Sequence, residues 1–108
     1  MERPENQEIE HVQKRVPRWF KNPNQINSQI LISFLKLQEG KKKVSYEDLA
    51  KICSEIKTFK GNFTSMNNMQ FHNHAKVFDI ADNDEIVLWQ PVEKFIKSEY
   101  QKYLEKTS

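Results

Sequence analysis

The spacing of apolar residues changes at Ala75, and that change limits the chain to folds that join helices to a small antiparallel sheet. Upstream, apolar residues recur every three or four positions. Ile26, Ile30, Leu31, Phe34, Leu35 and Leu37 make one broad stripe, Leu49, Ile52, Cys53 and Ile56 a second, and Phe59, Phe63 and Met66 a third. Downstream, residues 75–81 and 85–90 are rich in β-branched and aromatic side chains, with the turn formers Asp82, Asn83 and Asp84 between them. That is the pattern of a hairpin. Pro91 then opens a last helix whose apolar face is Val92, Phe95, Ile96, Tyr100, Tyr103 and Leu104.

Start and stop signals divide the upstream part into three helices. The first is expected to begin near Pro23, with Asn22 as its cap, and to end at Gly40 before Lys41, Lys42 and Lys43. The second has the clearest start: Ser45 caps it, Asp48 stands three positions on, and Val44 is placed to pack on Leu49. The third opens near Thr58, with Met69 as a candidate fourth member of its buried face, and Gly61 weakens it by roughly 1 kcal/mol relative to Ala. Residues 1–16 read as a flexible N-terminal tail, in which Ile9, Val12 and Val16 have the spacing of a short amphipathic turn. Pro17 and Pro23 bracket Trp19 and Phe20, expected to lie extended across the first helix. The folded domain is then 17–108.

With 37% apolar and 11% aromatic residues in 108 positions, the chain has material for one small core. The net charge of +2 is too small to argue for nucleic acid by itself, although residues 1–15 carry four acids and three bases, so the basic excess lies in the body. The lone Cys53 excludes an intramolecular disulfide and fits a reducing compartment. No apolar run reaches the ~20 residues of a membrane span. The polar, acidic N-terminus does not read as a secretory signal, so the expected location is the cytoplasm.

Function is suggested by Ile56 to Phe78, twenty-three residues without Asp or Glu in a chain that carries 15 acids. This stretch holds Lys57, Lys60, Lys76, His72 and His74, together with Asn62, Thr64, Ser65, Asn67, Asn68, Gln70 and Asn73. A polar, acid-free surface of this kind suits a polyanion.

The order helix, basic link, capped helix, tight turn, polar helix, hairpin, helix resembles the winged helix-turn-helix superfamily from about Val16 to Leu104. The resemblance implies an α+β, mostly helical fold: three helices, a β-hairpin wing and a C-terminal helix. It implies that residues 58–69 form a recognition helix in the major groove of duplex DNA. On that helix Lys60, Asn62, Thr64, Ser65, Asn67 and Asn68 would face solvent. Asn pairs with adenine, while Ser and Thr serve bases or phosphates. Lys41, Lys42, Lys43, Lys57, Lys60 and Lys76 would meet phosphates, and the absence of Arg argues against strong G·C readout. The wing tip departs from the pattern, because Asp82, Asp84 and Glu85 would be repelled by a DNA backbone. Its tip is therefore expected to point away, with only the strand base near Lys76 approaching. The alternative reading is a protein-interaction module that docks through this acidic wing and the terminal helices. An apolar face on the last helix wider than the core can cover would make a homodimer seam.

Other signals carry little chemistry. His72 and His74 lack the further ligands that Zn²⁺ needs. Asp79, Asp82, Asn83 and Asp84 lack the glycine and distal glutamate of a calcium loop. Two glycines cannot build a glycine-rich phosphate loop, and Cys53 reads as a buried hydrophobe. Trp19, Phe20 and Trp89 read as packing residues. No catalytic role, metal or cofactor is expected.

Overall fold

A computed structural model describes residues 4–40, 43–69 and 75–107. The elements are α1 (Pro4–Lys21), α2 (Ile26–Gly40), β1 (Val44–Ser45), α3 (Tyr46–Ile52), α4 (Phe59–Met66), β2 (Phe78–Ile80), β3 (Glu85–Leu88), a 3-10 turn at Gln90–Val92, and α5 (Glu93–Thr107). The fold is α+β and mostly helical. Its centre is α2, which buries Ile30, Leu31, Ile32, Phe34 and Leu35 and packs against α1, α3, α4 and β1. One continuous core joins these residues to the inner faces of the other elements.

The expected N-terminal tail is instead part of an 18-residue helix that continues through Pro17. Glu8, Val12, Val16, Trp19 and Phe20 fall on one stripe and are all buried. A proline inside a helix costs about 3 kcal/mol, through a lost N–H bond and a clash with the preceding turn. Burying a side chain of this size contributes about 1.5–3 kcal/mol, so two valines and two aromatics outweigh that penalty. The continuation of α1 also corrects the role of Asn22. Its backbone N–H and its Nδ2 both donate to the Arg18 carbonyl, at 3.1 and 2.9 Å, so Asn22 closes α1. The next helix starts three residues later than expected, at Ile26.

Ser45 and Asp48 form the reciprocal box that their spacing indicates. The Asp48 N–H donates to Ser45 Oγ at 3.1 Å, and the Ser45 N–H donates to Asp48 Oδ2 at 3.1 Å. Within α3 only a narrow strip is covered: Leu49 is buried and Cys53 follows it, whereas Ile52, expected inside, is 57% exposed. It stands at the rim of a shallow depression beside Ser33, Leu37 and Gly40, where α2 stops beneath it. Met69, a candidate for the buried face of α4, is likewise exposed.

The hairpin forms where the turn residues place it, with Asp79 opposite Val87. Across the Ala81–Glu85 pair, three residues turn the chain, and Asp84 adopts φ 63°, the left-handed conformation that Asp tolerates. A third strand was not indicated by the sequence pattern. β1 pairs with β3 through Val44 and Ile86, giving the antiparallel order β1-β3-β2 and joining the entry of α3 to the sheet. No helix among the described residues is long and apolar enough to cross a membrane.

Candidate nucleic-acid interface

Aromatic packing fixes the orientation of α4. Phe59, Phe63 and Met66 are buried on one side of it. Tyr46 of α3 meets Phe59 and Phe63 at ring-centroid distances of 5.6 and 5.4 Å, and Phe63 stacks on Phe78 of β2 at 5.4 Å. Phe78 in turn meets Phe34 of α2 edge-on at 5.0 Å. With this side pinned to α2, α3 and the sheet, the opposite side of α4 is left to solvent.

That outer side carries Lys60, Gly61, Thr64 and, just past the helix end, Asn68, all exposed, with Lys57 and Thr58 exposed at the entry. Asn62, Ser65 and Asn67 are half-buried on its flanks. Lys43, Lys57 and Lys60 are exposed and make no ion pair with any described residue. No carboxylate lies within the described part of the 56–78 stretch.

The polar side chains differ in what they have left to offer. Asn62 Nδ2 donates to both the carbonyl and Oγ1 of Thr58, each at 2.9 Å. Both of its amide hydrogens are engaged, so Asn62 presents only an acceptor. Asn68 Nδ2 gives one hydrogen to the Thr64 carbonyl at 2.7 Å, which leaves one N–H and the carbonyl oxygen for a donor–acceptor pair. Thr64 Oγ1 donates to the Lys60 carbonyl at 2.9 Å and keeps its acceptor capacity. The Ser65 side chain makes no hydrogen bond with a described residue.

Lys76, expected to face phosphate, points inward. It is 9% exposed, and its Nζ donates to the Asn67 carbonyl at 2.8 Å, at the C-terminal end of α4. The same ammonium lies 5.6 Å from the Trp89 ring centroid and 3.7 Å from Asp79 Oδ1. A cation at this end of a helix complements the dipole, so the Lys76 ammonium is engaged in holding the end of α4. Its backbone N–H donates to the buried Glu8 carboxylate at 3.0 Å, which ties α1 to the start of the hairpin. Lys41, Lys42, Gln70, His72, Asn73 and His74 lie outside the described residues.

The hairpin tip is acidic and outward, with Asp79, Asp82 and Asp84 exposed and Glu85 half-buried. Cys53 is buried, and burial pushes its thiol pKa up against the opposing effect of a hydrogen bond with Ser33. A thiol held protonated this way is a packing group. Among the described residues no three of His, Cys, Asp and Glu gather so as to hold a metal ion. Sequence patterning did not single out the lysine-rimmed groove between α1 and α5; its trace is the pair Lys102 and Lys106, one turn apart beside Tyr103. No family model matches the chain, and neither a curated protein nor a solved structure matches it.

Proposed function

We propose that this chain is a non-catalytic winged-helix module that binds duplex DNA, with α4 in the major groove. The observation that carries the reading is the outer side of α4: exposed, free of carboxylates of its own, and flanked by Lys57 and Lys60 with no counter-ion among the described residues. A helix in this position faces a polyanion without like-charge repulsion. The capped α3 before it and the hairpin behind it, in the order β1-β3-β2, support the winged-helix assignment. Asn68 is the best-equipped adenine reader, and Asn62 must first give up its bonds to Thr58. Lys43, Lys57 and Lys60 are the phosphate contacts among the described residues.

The test is a titration of labelled mixed-sequence duplex, followed by fluorescence anisotropy at about 50 and about 200 mM salt. Affinity should fall steeply with salt, and Lys60→Ala should lower the log–log slope by about 0.9. Lys60→Glu should weaken binding further, while Asp84→Lys should leave it unchanged or strengthen it. Absence of binding at the lower salt ends the proposal.

A further inference from the structure

Two surfaces distinct from the outer side of α4 have opposite charge and apolar centres. The first is a groove of about 310 Å³ between the C-terminal parts of α1 and α5. Its walls are Pro17, Phe20, Pro23 and Tyr103, with the Phe20 and Tyr103 rings 5.4 Å apart. Lys21, Lys102 and Lys106 stand around it with Glu99, whose carboxylate is taken by Lys102 Nζ at 3.1 Å. Lys21 and Lys106 are exposed and make no ion pair with a described residue. Lysines in the last turn of a helix complement its dipole, which accounts for where they sit. It does not account for the open apolar walls between them.

The second surface is the β2–β3 hairpin with the start of α3. Ile80 is 44% exposed and Tyr46 37% exposed, and they border a depression shared with Glu47 and Asp84. Glu47, Asp82 and Asp84 are exposed and have no ion-pair partner among the described residues. An exposed isoleucine beside Glu47 and Asp84 complements, in sign of charge, an apolar groove edged by the unpaired Lys21 and Lys106. No hairpin residue lines the groove of its own chain, so the match operates between copies.

We propose that one copy of this chain seats its Ile80 hairpin in the α1–α5 groove of the next. The contact is head-to-tail, so a pair of copies still has one groove and one hairpin unused, and association continues into a ring or an open chain. The hairpin that repels phosphate is thereby given a partner, independently of whether α4 binds DNA. A single hairpin in a groove belongs with small interfaces, below about 1,200 Å², so the association should be weak and concentration-dependent.

Sedimentation velocity on the full chain tests this. At low salt the average mass should rise above 12.9 kDa with concentration, and it should return to the monomer at about 1 M salt, where charges are screened beyond ~3 Å. Two double variants separate the surfaces: Lys21→Glu with Lys106→Glu, and Asp82→Lys with Asp84→Lys. Each alone should stay monomeric, and an equimolar mixture should associate, because the intact hairpin of one then meets the intact groove of the other. Recovery on mixing cannot come from misfolded variants. A wild-type chain that is monomeric at every concentration overturns the proposal. So do variants that associate as the wild type does, and so does a mixture that stays monomeric.

Discussion

Replacing Gly61 with Ala should stabilise this protein while weakening any ligand held on α4. Gly61 lies in the first turn of an eight-residue helix, and no glycine in the described structure has positive φ. A Cβ built at this position meets nothing within 4 Å, so the substitution adds no clash. What remains is helix propensity and the reduced freedom of the unfolded chain, together worth about 0.5–1 kcal/mol. Unfolding entropy of about 2.1 cal/mol/K per residue gives about 0.23 kcal/mol/K for 108 residues, so Tm should rise by about 2–4 °C. Far-UV circular dichroism on heating and a urea titration measure this, with a higher midpoint and an unchanged m-value expected. An unchanged or lower midpoint in a variant with a native spectrum would mean that Gly61 is not helical or that its outer side is covered. Gly61 is exposed in line with Thr64 and Asn68, so in the groove-bound arrangement the added methyl stands between helix and DNA, and affinity should fall as stability rises.

Four further outcomes follow from individual contacts. Ser45→Ala removes one half of the box at the start of α3 and should cost about 1 kcal/mol, read as a lower urea midpoint. Glu8, 4% exposed, accepts the Lys76 N–H; Glu8→Ala should cost about 1–3 kcal/mol and speed amide exchange at Lys76, whereas Glu8→Gln keeps an acceptor and should cost less. Lys76→Met should lower stability and leave the salt slope of DNA binding unchanged, since the ammonium is spent on the end of α4. Burial, then the Glu39 charge and hydrogen bond and then Tyr103, push the Tyr100 pKa from 10.0 up to about 12. The unfolded chain gives up this proton first, so the contribution is intact below pH 10 and is lost as pH rises towards about 12; Tyr100→Phe should flatten that decline in urea midpoints.

The acidic hairpin and the acid-free helix were both legible in the residues, because each is a contiguous run whose charge needs no partner to define it. Which lysines stay free was not legible. Lys60 and Lys76 lie in the same acid-free run, yet one is exposed and the other sits under Trp89 against the end of α4. A side chain with four rotatable bonds takes its direction from what is packed around its base, and for Lys76 that surrounding comes from α1 and the sheet.

By itself the sequence determined what neighbouring residues can settle: the box at Ser45 and Asp48, the inner stripe of Phe59, Phe63 and Met66, and the turn at Asp82 to Asp84. Caps, helical stripes and tight turns are made within a few residues, so their energetics are local. Tertiary structure decided that α1 runs unbroken through Pro17, that Val44 and Ser45 become a strand, and that Ile52 stays outside. Each of these depends on residues far along the chain: the proline's penalty is offset only by burial against the core, and two residues make a strand only when β3 supplies the partner carbonyls and amides.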